Sequence, residues 1–383
     1  MAERHLACIA FTAPGQRLAE HVARGLARGE GIAGGSESER WAVSVACGFG
    51  PGKVDLAQWT RESFAAADAL LFVGAAGIAV RAIAPYVRSK TSDPAVLVMD
   101  VGGTWVIPLL SGHIGGANRL AQRIAGLSGA RPVLTTATDV RGLWAVDDWA
   151  TGCGLVIANP GAIKAISSKL LAGDTVRVRS DVAFSDSPPA QVELVDAFRD
   201  AAGDRGPDVL ISAFAPASDG HGTFLRLIPR VVRVGIGCRR GVAQEQVEAA
   251  WRVALDTLVE RGVGFLDERA VLGVYSIDLK AHEPGLLAFC VRHGWPLTTH
   301  SADELAAVEG DFSGSPFVRE VTGVDNVCER AARLGGARPL LSKLVHDGVT
   351  IALACDDITL AFGGSLPGGA AASSGLPAAP GPA

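Results

Sequence analysis

The chain has 383 residues, of which 48% are hydrophobic and 20% charged, so it is too long for one ordinary core and too apolar for a disordered polypeptide. Two or three domains are expected. The formal charge is -5 and the basic residues are spread along the chain, which excludes nucleic acid and anionic membrane as expected partners.

Seven cysteines, at 8, 47, 153, 238, 290, 328 and 355, are odd in number and never form CxxC, the pattern of free thiols in a reducing cytoplasm. The eight histidines show no HExxH and no zinc-type spacing, so no protein-bound metal is expected. The apolar run 6–11 leads into a polar-faced helix instead of a signal-peptide pattern, and stretches such as 69–80 fall short of the ~20 residues a membrane span needs. A soluble, cytoplasmic protein is expected.

Residues 6–12, 41–47, 70–74, 95–99, 105–110 and 132–136 read as strands, with 14–28 and 115–127 as the clearest helices. This alternation predicts an α/β chain opening on a Rossmann-like, parallel-sheet domain. In the helix 115–127, Ala117, Leu120, Ala121, Ile124 and Ala125 form an apolar stripe, and Asn118, Arg119, Gln122 and Arg123 are assigned to the outer face.

A smaller α/β domain follows, with a helix over 147–152, an Asn159-Pro160 turn into a second helix, and short strands near 175–179, 209–214 and 224–228. The last α/β domain opens with a strand at 231–235 and a helix over 243–261. It continues through a helix after Pro284, a strand at 296–299, helices from 302 and over 325–334, and a strand at 349–354. Residues 363–383 contain only Gly, Ala, Ser, Pro and Leu and are read as a disordered tail. The resulting boundaries are 1–140, 141–230, 231–362 and 363–383.

The segment Ser111-Gly112-His113-Ile114-Gly115-Gly116-Ala117-Asn118 joins a strand to a helix. In an open α/β sheet, ligands gather at strand carboxyl ends, and helix N-terminal amides favour a carboxylate or a developing oxyanion. Glycines at 112, 115 and 116 would let a ligand approach, and His113 can exchange protons near neutral pH. A structural turn with a Ser cap and a surface histidine explains the same pattern. A serine-hydrolase reading fails on G-x-S-x-G, because Leu109 stands where Gly is required.

Gly235-Ile236-Gly237-Cys238-Arg239-Arg240-Gly241 is the second such junction and adds two guanidinium groups suited to carboxylates. A dinucleotide fingerprint is excluded by the spacing G-x-G-x-x-x-G and by Asp256 falling mid-helix; solvated arginines on a structural turn remain the alternative. Asp278 and Lys280 either serve a ligand or pair with each other on the surface. Thr136 and Thr138, in Thr135-Thr136-Ala137-Thr138-Asp139, can hydrogen-bond a ligand or cap a helix.

Taken together, the segments from Ile107 to Asn118 and from Thr135 to Asp139 resemble the N-terminal region of the CbiG family of cobalamin-biosynthesis proteins. Gly235 to Gly241, Ser276 to Lys280 with Glu283-Pro284-Gly285-Leu286, and Gly323 to Val327 with Glu329 resemble its C-terminal region, which also occurs as the stand-alone CobE. Asn159-Pro160 with Ala162-Ile163-Lys164 is similar to the central domain. The resemblance spans roughly residues 1–362, with His282 standing where an acidic residue is expected.

The resemblance implies a cobalt-precorrin-5A hydrolase that opens a δ-lactone on the macrocycle and releases acetaldehyde to give cobalt-precorrin-5B. It implies no cofactor, because the substrate carries its own cobalt. The candidate catalytic residues are then His113 and Asp278. Ser111, Gly112, Gly115, Gly116, Asn118, Thr136, Thr138, Gly237, Arg239, Arg240 and Lys280 are the candidate substrate-binding residues. Neighbouring pathway enzymes are possible partners, and a non-catalytic corrinoid carrier is the rival reading.

Overall fold

In a computed structural model, the described residues are 4–30, 40–89, 92–112, 115–135, 142–196, 206–216 and 224–363. His113, Thr136, Thr138 and nearly all of the expected tail lie outside them. Contacts divide the chain into two compact units, Met1–Leu134 with Thr359–Ala383, and Thr135–Ile358.

The first unit is built on a six-stranded sheet ordered β2-β1-β3-β4-β5-β6, with β1 Arg4–Ala10, β2 Trp41–Cys47, β3 Ala69–Val73, β4 Ala95–Met99, β5 Trp105–Leu110 and β6 Arg131–Pro132. Both faces are covered, which is why β3 and β4 are unbroken apolar runs. On one face Leu6, Cys8, Leu71, Val73 and Leu97 meet Ala19, Val22 and Leu26 of α1 (Ala13–Ala27) and Leu120, Ala121 and Ile124 of α4 (Ala117–Ser128). On the other, Ile9, Leu70, Phe72 and Val98 meet Trp59 of α2 (Leu56–Ala66) and Ala79 and Ile83 of α3 (Ala76–Ile83).

Side-chain caps start two of these helices. The Thr12 hydroxyl accepts from the Gly15 amide at 3.2 Å and the Asp55 carboxylate from the Gln58 amide at 2.7 Å. The α4 stripe is wider than its periodicity indicates, since Asn118 and Arg123 are buried as well. Arg123 sends Nε to the Glu30 carbonyl at 3.0 Å, a long-range partner that helical periodicity does not encode.

The pairs β1–β2, β1–β3 and β3–β4 are parallel, but β5 runs antiparallel to β4. The connection from Asp100 to Thr104 is far shorter than the dozen or more residues that a parallel crossover requires. Asp100 shapes this reversal, accepting from the amides of Gly102 at 3.1 Å and Trp105 at 2.5 Å. β6 is parallel to β5, so the sheet is mixed.

The second unit contains two five-stranded sheets. The first comprises β7 Val156–Ile157, β8 Val176–Ser180, β9 Val192–Leu194, β10 Val209–Ile211 and β11 Leu225–Ile228, in the order β9-β8-β10-β11-β7. Asn159 continues the short β7: its amide donates to the Phe224 carbonyl at 2.8 Å and accepts from the Arg226 amide at 2.8 Å. The helices Val146–Gly152 (α5) and Ile163–Ala172 (α6) agree with the expected pair.

The second sheet comprises β12 Val232–Cys238, β13 Val271–Ile277, β14 Leu297–His300, β15 Arg338–His346 and β16 Val349–Cys355, in the order β14-β13-β12-β16-β15. The first three strands are parallel and the last two pair antiparallel. Trp251 of α7 (Gln244–Glu260) and Phe289 of α8 (Pro284–His293) fill the core on one face. The short helices α9 (Ala302–Ala306), α10 (Pro316–Thr322) and α11 (Cys328–Arg333) complete the unit; α11 begins three residues later than expected.

Helix α11 lies so close to β12 that a Cβ at Gly235 would stand 1.9 Å from the Cys328 carbonyl oxygen and 2.9 Å from Ala332 Cβ. Backbone cannot yield as a flexible side chain does. Gly235→Ala should therefore cost at least about 1–3 kcal/mol, read as a lowered chemical-denaturation midpoint at unchanged m-value. A stability equal to that of the parent protein would contradict this packing.

Candidate functional site

In the first unit, the Ser111 loop follows a strand that runs against β1–β4. Leu110 pairs with Val96, and the Ser111 hydroxyl donates to the Asp93 carbonyl at 2.9 Å, just before β4 begins. The loop therefore lies at the amino-terminal edge of the parallel strands. The expectation of a strand carboxyl end holds for β5 itself, but not for the parallel set, because the short turn at Asp100 reverses the chain. β6 shares the direction of β5, so Thr135 leaves the sheet at this same edge.

The loop is folded tightly on itself. Ser111 adopts φ +55, a left-handed conformation rare outside glycine. The Ala117 amide donates to the Ser111 carbonyl at 3.1 Å and the Asn118 amide to the Gly112 carbonyl at 2.9 Å. Thus two amides of the first helical turn are already engaged. A Cβ at Gly115 would sit 2.3 Å from Ser111 Cβ, so this glycine serves the turn's own closure. Ser111 and Asn118 are buried, and Gly116 caps α4 at φ +80.

Asp93 braces the adjoining segment by accepting from the amides of Arg88 at 2.8 Å and Ser89 at 3.0 Å, and from the Ser92 hydroxyl at 3.3 Å. Burial pushes its pKa upward, but those hydrogen bonds and the Arg88 charge outweigh burial and hold it below the usual carboxylate value. A group depressed on folding contributes fully above its unfolded pKa and loses that contribution as pH falls through the folded value. Accordingly, urea unfolding should show Asp93→Asn to be destabilised at neutral pH, with the difference from the parent shrinking in acid. A pH-independent difference would rule out the charge as its source.

In the second unit, the parallel strands β12, β13 and β14 direct their carboxyl ends to one edge of the sheet, the location where such sheets collect ligands. The exit of β12 carries Arg239 and Arg240, both exposed; the exit of β13 carries Asp278, also exposed, and the partly buried Lys280. The exit of β14 carries His300, whose Nε2 is buried with no hydrogen-bond partner among the described residues. Gly237 faces Thr350, whose hydroxyl donates to the Gly237 carbonyl at 3.1 Å; a Cβ there would lie 2.7 Å from that oxygen.

Lys280 does not pair with Asp278. Its ammonium meets the Glu283 carboxylate at 3.1 Å, and the other Glu283 oxygen accepts from the Gly241 amide at 2.6 Å. The Glu283 side chain is only 6% exposed. Burial raises the Glu283 pKa, but the Lys280 hydrogen bond, the Gly241 amide, the Lys280 charge and the Val242 amide together bring it below the ordinary glutamate value. Cys238, between these groups, has its thiol pKa pushed up to about 11, first by burial, so it is protonated at neutral pH.

The remaining family segment is also internally engaged. Buried Asn326 donates to Glu329 and to the Ser313 carbonyl, the latter at 3.2 Å, while Glu329 accepts from the Lys343 amide at 3.1 Å. Asp325 is held by Arg319 at 2.8 Å and Arg330 at 3.1 Å. Sequence reasoning left Glu283, Asn326 and Glu329 without a role; Glu283 stands at the N-cap of α8 but makes no side-chain cap bond there, so its position before Pro284 does not reveal its partners.

Sheets flanked by helices, with two exposed arginines at the carboxyl edge of the parallel strands, define an α/β protein with a cationic strand edge. The cobalamin synthesis G N-terminal model matches residues 58–139, and the cobalamin synthesis G C-terminus model matches residues 232–354. A cobalt-precorrin-5A hydrolase of Salmonella typhimurium is 36% identical over 321 residues, covering 80% of this chain and 87% of that protein. Another, from Priestia megaterium, is 30% identical over 299 residues, covering 74% and 78%. The solved structure of a cobalamin biosynthesis protein G homolog from Sulfolobus solfataricus aligns over 92% of this chain and 97% of that one, at 19% identity and a TM-score of 0.40. The chain belongs to the cobalamin synthesis G (CbiG) family. No helix among the described residues is long and apolar enough to cross a membrane.

Proposed function

We propose that the chain is a cobalt-precorrin-5A hydrolase of cobalamin biosynthesis. The observation that carries this reading is the 36% identity maintained over 80% of the chain to a protein of that activity. The exposed guanidinium pair at the β12 exit supports it, since a macrocycle fringed with carboxylates calls for bidentate cations at a strand edge.

In this reading water, activated by His113, adds to the lactone carbonyl. The acyl–oxygen bond breaks, leaving a carboxylate on one side and an alcohol on the other. Amides near Gly115 and Gly116 are the candidate donors to the tetrahedral oxyanion. The freed alcohol then gives up its proton; its oxygen becomes the carbonyl of acetaldehyde as the adjacent carbon–carbon bond breaks. The bonding electrons pass to the macrocycle, where a proton is returned. The cobalt belongs to the substrate, and this sequence of steps needs no resident cofactor. The seven free thiols support the reducing cytoplasm as the place of action.

Incubation with cobalt-precorrin-5A should release acetaldehyde in equal amount to substrate consumed, measured by coupled reduction or mass spectrometry. Tight binding with no acetaldehyde would identify a carrier of the intermediate instead. His113→Gln should lower the rate by about 10²–10⁴-fold, the contribution of a positioned acid or base, with the macrocycle still bound. Undiminished turnover would remove His113 from the chemistry.

A further inference from the structure

Two neighbouring strand exits are joined through a single carboxylate. Glu283 follows the β13 exit, yet one of its oxygens accepts from the amide of Gly241, which follows the β12 exit, and the other from Lys280 on its own side. Arg239 and Arg240 immediately precede that amide, and the Arg239 amide donates to the Gly348 carbonyl at 3.0 Å. The first turn of α8 presses on the same place: a Cβ at Gly285 would meet the Val242 carbonyl oxygen at 2.1 Å. The turn bearing the guanidinium groups is thus fixed by Glu283 from below, with both side chains left exposed above.

We propose that Glu283 is a positioning residue for anion binding, holding the Arg239–Arg240 turn so that both guanidinium groups are presented together to carboxylates of the macrocycle. Lys280 belongs to this support, neutralising Glu283 rather than contacting substrate directly. An exposed arginine loses much of its binding strength to side-chain and loop ordering unless the backbone beneath it is already fixed. Glu283 is buried beneath the turn whose Gly241 amide it occupies, and in this proposal its effect on binding passes through the two arginines. The inference rests on the corrinoid-binding reading of that pair.

The test is a double-mutant cycle on the full chain with cobalt-precorrin-5A, read on KM and kcat for turnover and in parallel on Kd for binding. Arg239→Gln with Arg240→Gln should raise KM and Kd about a hundredfold, the loss of two charge-assisted contacts at about tenfold each, with kcat nearly unchanged. Glu283→Gln should raise both about tenfold alone but less than twofold in the arginine-substituted background. Glu283→Asp, which keeps a charge in the buried position, should show a smaller rise that vanishes in the same way, and it carries the cycle if Glu283→Gln does not fold.

Full additivity, with the arginine pair important, would overturn the positioning role alone. An unchanged KM and Kd in the arginine variant would overturn the pair's role and Glu283's with it. Binding without turnover would leave the cycle to be judged on Kd and would count only against the hydrolase reading.

Discussion

A charged carboxylate removed from water is costly unless donors replace its hydration, and Glu283 is almost fully removed. The chain meets that demand with a backbone amide and an ammonium, drawn from the exits of adjacent parallel strands. Satisfying one buried ion therefore welds two loops that share no sequence continuity. The consequence reaches the surface, because the residues before that amide are the exposed Arg239 and Arg240. Close packing reinforces the weld, with Gly285 admitting α8 against the Val242 carbonyl and Gly235 admitting α11 against β12.

The N-terminal unit answers a different constraint. Its Ser111 loop spends hydrogen-bond donors on its own carbonyls, and the Ser111 hydroxyl on the carbonyl of Asp93. Glycine is needed at 115 because Ser111 Cβ stands where another side chain would begin. Much of the motif's composition is thus explained by closure of a turn.

The elements most legible in the sequence were those that a single face or a single run defines. β3 and β4 are continuous apolar strings, and α1 and α4 fall on the expected helices 14–28 and 115–127. Less legible were features set by distant partners. The sheet's reversal at β5 is written in the shortness of the Asp100–Thr104 link, a clue that counting strands alone misses. β13 was hidden by Gly273, whose absent side chain makes room for the Pro296 carbonyl 2.9 Å from where a Cβ would be. Burial of Asn118 and Arg123 contradicts their polarity, since each is fixed by tertiary surroundings and not by helical phase. Of the site, the arginine pair and the glycine turns could be read directly; the Glu283 link could not, because it joins positions forty-two residues apart.

Asn159 closes the central sheet in an economical way. Its amide group imitates one residue of backbone, supplying both an acceptor and a donor to the strand that ends the parallel set. A longer β7 would have offered a row of open peptide groups on its far side, a template on which another chain could add itself. By letting a side chain finish what two strand residues begin, the domain covers β11 while presenting almost no new edge, and so guards against chain-to-chain sheet growth.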